Sequence, residues 1–187
     1  PEAAKKAVLA AEEASQNPKK NTKVATWLKL ATSYMDAYDA PVGNVLVNSP
    51  RVQLQMMMGN EKPVAVEEVV VDGMPFKKEV YANKNLYFDG TDVLRIVEVT
   101  VPVFEDPLAG ALAAYAKAYE VDVKKSKEKD IVAGIQSIQQ KYFNDGMNQY
   151  SLGDYKKAGE LIVKAAAASE TAPNSVVDTT SLYNAGY

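Results

Sequence analysis

The 187-residue chain contains no cysteine and no histidine. Thiol nucleophiles, disulfides, Ser-His and Cys-His pairs and the usual zinc, copper and haem ligands are therefore excluded. The lack of cysteine does not locate the protein, because an oxidising compartment tolerates a chain that never needs a disulfide. Charge of one sign is also scarce: 21 Lys and Arg against 24 Asp and Glu leave a net charge of −3. These charges are interspersed along the expected helices, so there is no basic strip for nucleic acid. The longest apolar run, Pro107 to Ala116, is about half the length of a membrane-spanning helix. No Gly-rich phosphate loop or Walker-like lysine is present. What is there is 47% hydrophobic, enough to build the core of one sizeable domain. The chain opens on PEAAKKAVLA, without Met or an apolar signal core, and closes on SLYNAGY; both ends read as cut.

Helical texture occupies both ends. Residues 3–15 are rich in Ala, Glu and Lys, with Ala7, Ala11 and Ala14 on a small-residue face, and Asn17-Pro18 ends the pattern. Asn21-Thr22 is placed to cap a second helix, 22–38, with Val24, Trp27, Leu28, Ala31 and Tyr34 as its apolar stripe. Pro107 opens a third helix to about 122, and a longer one spans about 127–152 with Ile131, Ile135, Ile138 and Tyr142 on one face. Gly153-Asp154 is a turn, 155–169 a further helix, and a last helix is expected from near Asp178.

Between residues 40 and 106 the texture changes to short Val-, Tyr- and Phe-rich segments separated by turn residues. Asp72-Gly73 predicts a tight hairpin, and 93–101 (VLRIVEVTV) is the best single strand. The expectation is a small antiparallel sheet of three to five strands, lying one face against the helices because so small a sheet is marginal alone. Met56, Met57 and Met58 read as a strand in which packing outweighs an adaptable binding surface. Asn83, Asn85, Asp89 and Asp92 read as turn residues; their spacing fits no calcium loop.

Two segments carry a family resemblance. In KVATWLKLATSY, Trp27, Leu30, Ala31 and Tyr34 recur at the spacing of a tetratricopeptide first helix. Tyr142 to Ala165 resembles a complete repeat: a large aromatic at Tyr142, small Gly146, the Gly153-Asp154-Tyr155 turn, then Ala158, Ile162 and Ala165. It departs from the family at Asp145, where an aliphatic residue is common, and at Gln149 with Tyr150, where one Tyr is expected. The missing partner of the Trp27 helix is found in Ala111, Tyr115 and Ala118, which repeat the small, large, small spacing. The chain thus resembles a mainly α, tetratricopeptide-like right-handed solenoid of helix pairs, α+β overall. Its helical repeats span 1–39 and 107–187, with a split repeat of 22–38 plus 108–122, a complete repeat at 139–172, partial repeats at both ends, and a β-rich insert at 40–106.

The resemblance implies a binding protein whose concave face is built by the first helix of each pair. On matching positions that face would carry Lys29, Thr32, Met35 and Asp36, then Asn144, Met147 and Tyr150, then Asn184 and Tyr187; each is equally a candidate for plain solvent exposure. The basic carboxylate clamp of some relatives is missing, since Leu28, Thr32, Phe143 and Met147 stand at its positions. The expected function is a non-catalytic protein-interaction scaffold for a peptide or partner protein, without cofactor or metal. The alternative is a carbohydrate- or envelope-polymer-binding module presenting Tyr81, Tyr87 and Phe88 from the sheet; exposure of those rings decides. A third possibility, an enzyme, needs carboxylates such as Glu67, Glu68, Glu105 and Asp106 to converge in a pocket. The pattern is also similar to cell-envelope tetratricopeptide proteins of Gram-negative bacteria, and that analogy favours a periplasmic or envelope location.

Overall fold

The structure, a computed structural model, describes residues 1–174 and 179–186. Four of its helices form two antiparallel pairs: α2 (Val24–Asp39) with α4 (Pro107–Val121), and α5 (Glu128–Ser151) with α6 (Tyr155–Ser169). α1 (Glu2–Gln16) lies against α2, and α7 (Thr179–Asn184) against α6. The direction of each pair follows from its contacts. Tyr34 lies over Gly110 while Tyr38 reaches the Asp106–Leu108 end of α4, so one helix ascends as the other descends. Gly146 meets Ile162, and Gln136 bonds Asn174, in the same sense.

Local chemistry sets the helix ends. Asp106 accepts a hydrogen bond from the Ala109 N–H at 3.1 Å, with Pro107 at the first helical position. Asp154 does the same for Lys157 at 3.0 Å, after Gly153 has turned the chain at φ +87°. The expected cap at Asn21-Thr22 is corrected: α2 starts at Val24 and its N-cap, Lys23, makes no side-chain bond. Asn21 instead offers its carbonyl to the Trp27 indole N–H at 2.7 Å, which ties the loop to the second turn of the helix. The helical core runs from Ala31 and Leu108 through Ala111, Tyr115 and Ala118 to Ile131, Ile135 and Ile138, all buried.

The insert holds α3 (Arg51–Met58) and four strands: β1 (Ala65–Val71), β2 (Met74–Val80), β3 (Lys84–Phe88) and β4 (Leu94–Val99). They form an antiparallel meander in the order β1-β2-β3-β4. Asp72 (φ 51°) and Gly73 (φ 76°) make the two-residue turn whose positive φ angles match strand twist.

One expectation is corrected and one is narrowed. The Met56–Met58 run is helical, because unbranched Gln, Leu and Met favour helix and Leu54 supplies the buried anchor of the turn. Met57 and Met58 are partly buried there, whereas Met56 is 81% exposed. The expected contact of one sheet face with the helices is limited in extent, because the sheet also packs on its other side. Tyr81, Leu86, Phe88 and Leu94 pack with Val45 and Leu54 into a core of the insert's own. The opposite face, Val71, Tyr87 and Ile96, meets the helices at Leu152.

Inside the insert's core, Glu79 is buried and accepts hydrogen bonds from Arg51 and from the Tyr81 hydroxyl, the latter at 2.7 Å. Burial and the Glu79 carboxylate together push the Tyr81 hydroxyl's pKa well above its ordinary value. Lys84 is buried with its ammonium on Glu61 at 2.6 Å and over the Tyr81 ring. The molecule is therefore a mixed α+β protein, and no described helix is long and apolar enough to cross a membrane.

Close helix approach makes a stability prediction. A Cβ at Gly134 would overlap the buried Tyr115 ring, so Gly134→Ala should destabilise the fold by about 1–3 kcal/mol. Nothing lies within 4 Å of a Cβ at Gly159, also inside a helix, so Gly159→Ala should stabilise by about 0.5–1 kcal/mol. Urea denaturation measures both; equal effects would refute the close-approach account.

Candidate functional site

The chain leaves the helices after Asp39 and rejoins them at Asp106. Between the returning insert and the helix ends lies a cleft of about 700 Å³, within the size range of ligand sites. Val45, Val47, Val97 and Val99 form an apolar wall from the insert, and Leu108 and Leu161 answer it from the helices. Five carboxylates (Glu98, Glu105, Asp106, Asp145, Glu160) and two ammonium groups (Lys157, Lys164) line the same space.

Tyrosine hydroxyls hold three of those carboxylates. Asp106 accepts from the Tyr142 hydroxyl at 2.8 Å and from Lys164 Nζ at 2.9 Å, besides capping α4. Burial works to raise its pKa, but Lys164, Tyr142 and the Ala109 N–H outweigh burial and hold it below the usual carboxylate value. Asp145 accepts from the Tyr38 hydroxyl on both oxygens, at 2.9 and 2.8 Å. Here burial prevails: despite the Tyr38 bond and the charges of Lys141 and Lys157, the carboxyl is pushed up to about 6. Glu98 Oε1 accepts from Asn85 Nδ2 at 2.8 Å and from the Tyr87 hydroxyl at 3.0 Å. Burial, then the charge of the adjoining carboxylate, drives Tyr38 far above its ordinary value; for Tyr142 it is burial, then the bond to Asp106. These hydroxyls stay protonated and serve as fixed donors.

Lys141 Nζ bonds Asp39 at 2.7 Å over the Tyr38 ring, which ties the end of α2 to α5. The arrangement offers apolar walls and oriented polar groups, a combination suited to holding a ligand. No group of three or more Asp or Glu among the described residues is placed to hold a metal ion. Asp89 is a turn residue in fact: its carboxylate accepts from the Thr91 N–H at 2.9 Å and from Arg95 Nε at 2.6 Å.

The residues expected on the concave face fall into separate groups. Lys29, Thr32 and Asp36 are exposed along α2, while Met35 is half-buried against the helical core. Asn144 and Met147 are exposed on α5, with Asn144 accepting a bond from Gln140 of its own helix at 2.8 Å. Tyr150 and Asn184 do come together, with Tyr155, at a second hollow of about 380 Å³ between α5, α6 and the α7 end. Tyr187 lies outside the described residues. None of these positions lines the larger cleft.

Of the carboxylates singled out for acid-base chemistry, Glu105 and Asp106 line the cleft, and Glu67 and Glu68 lie on β1 away from it. Tyr81, Tyr87 and Phe88 are 6%, 5% and 1% exposed, so they are core and present no open aromatic face. Sequence reasoning missed the Tyr38–Asp145 and Tyr142–Asp106 units. Asp145 left one signal: it is a point where the chain departs from the tetratricopeptide resemblance.

Comparison with protein-family models, with curated proteins and with solved structures gives no match to this chain.

Asp145 makes a pH prediction. Its folded pKa is raised from 3.8 to about 6, so the fold favours the protonated form. The associated stability is fully present below pH 4 and is lost as pH rises through 6, amounting to about 3 kcal/mol. Asp145→Asn removes this dependence: relative to the parent, the variant should gain about 1–3 kcal/mol between pH 4.5 and pH 7.5 in urea denaturation. An unchanged difference at the two pH values would contradict the buried-carboxylate assignment.

Proposed function

We propose that this protein is a non-catalytic interaction scaffold of tetratricopeptide-like helix pairs, in which a segment of a partner protein is held at the junction of the helices and the sheet insert. The observation that carries this reading is the cleft itself. Two antiparallel helix pairs supply one wall, the insert supplies the other, and tyrosine-held carboxylates punctuate an apolar interior. Side chains of an extended segment need apolar surface for affinity and a few oriented polar groups for register.

The large-over-small contacts at Tyr34/Gly110 and Ile162/Gly146 support the repeat reading, because tetratricopeptide spacing places small residues where paired helices approach. The exposed α2 and α5 positions remain a second surface for the same partner. A carbohydrate-binding reading through Tyr81, Tyr87 and Phe88 finds no support, since those rings are buried.

Site-specific photo-crosslinking tests the proposal in the cell that makes the protein. A benzoyl-phenylalanine replacing Glu105, at the cleft, should give a discrete adduct, and one replacing Lys124, in the α4–α5 loop, should give none. Adducts from position 144 but not 105 would move the site to the helical face. No discrete adduct from either 105 or 144 would sink the scaffold reading.

A further inference from the structure

The two edges of the sheet differ among the described residues. At β4 the outer side is engaged at its start, where Asn48 N–H donates to Leu94 O at 2.8 Å and Leu94 N–H to Ser49 O at 3.0 Å. β1 is the terminal strand at the other side, and alternate N–H and C=O groups along its seven residues point away from β2 without a partner strand. Val64, Val66 and Val70 are 75%, 54% and 75% exposed there, so apolar surface accompanies the free backbone groups.

The charges at this edge select what can pair with it. In register, Glu67 stands opposite Lys78 and Glu68 opposite Lys77, one pair on each face of the sheet. Glu67 reaches Lys78 at 3.4 Å, while Glu68 makes no ion pair among the described residues. A second copy of this chain is a poor partner: antiparallel self-pairing with full overlap sets Glu68 directly against Glu68 of the other copy, and like charges opposite one another destabilise. A strand with two adjacent basic residues places one cation against each glutamate, repeating on the outer side what β2 provides on the inner. Valine or threonine beside that pair would face Val66 and Val70 across the strands.

We propose that β1 is a docking edge for an extended peptide carrying two consecutive basic residues flanked by β-branched ones, bound by strand addition. β1 contributes nothing to the cleft, so this site stands or falls independently of the reading above.

The test uses the full chain and the capped peptide Thr-Val-Val-Lys-Lys-Val-Thr-Val. Titration followed by amide NMR should show saturable shifts confined to β1, β2 and their turn. The Glu-Glu counterpart of the peptide, and the protein variant Glu67→Lys/Glu68→Lys, should each bind about tenfold or more weakly. Because that variant alters the strand, a second measurement leaves the protein untouched. Two peptides N-methylated at alternate nitrogens in opposite phases are compared: the phase facing β1 should abolish binding and the other should preserve it. Equal behaviour of the two phases, shifts spread over other acidic surfaces, self-association of the chain through β1, or no binding at millimolar peptide would each overturn the proposal.

Discussion

Three successive helix interfaces, α2 with α4, α4 with α5 and α5 with α6, are each keyed by a large side chain laid over a glycine of its neighbour. Tyr34 covers Gly110 between α2 and α4, Tyr115 covers Gly134 between α4 and α5, and Ile162 covers Gly146 between α5 and α6. A methyl group in place of hydrogen would collide at all three, so each ring or branched side chain occupies the space that glycine leaves open. This spacing is what brings the Tyr38 hydroxyl to Asp145 and the Tyr142 hydroxyl to Asp106, and so decides where the polar groups of the cleft lie. Buried hydroxyls and carboxylates that satisfy each other then fix the ends of α2 and α5 without leaving an orphaned charge.

Much of the helical part was legible because its signals are local. Pro107 after Asp106, Gly153 before Asp154 and the isoleucine spacing of α5 each act within one or two turns, and the observed boundaries follow them within a residue or so. The apposition of α2 with α4 rests on Tyr34 over Gly110, whereas Tyr115 of the small, large, small run lies over Gly134 of α5. The hairpin at Asp72-Gly73 was likewise explicit, since few other dipeptides accept two positive φ angles.

The rest was illegible because it depends on contacts far apart in sequence. Short apolar runs are ambiguous between strand and helix, and the burial of Leu54 against Phe88 and Leu94 joins local propensity in holding α3 as helix. The same core explains how one face of the sheet is covered without the helices. Asp106 and Asp145 become a site through partners separated by 36 and 107 residues, a pairing that periodicity cannot reveal. Asp145 nevertheless showed as a departure from the tetratricopeptide resemblance, and local departures are where sequence rules are expected to yield to other constraints.

The insert begins and ends at almost the same place, for Phe104 stacks edge-on against Tyr34 at 5.6 Å and Tyr38 shares a cleft with Pro107. Closing a loop costs entropy that grows only logarithmically with its length, about 0.6 kcal/mol per doubling, so a detour with neighbouring ends and its own core is cheap for the host. Topologically the helices form a socket and residues 40–106 a cassette plugged into it. Evolution can then replace the cassette while keeping the socket, without renegotiating the helical core.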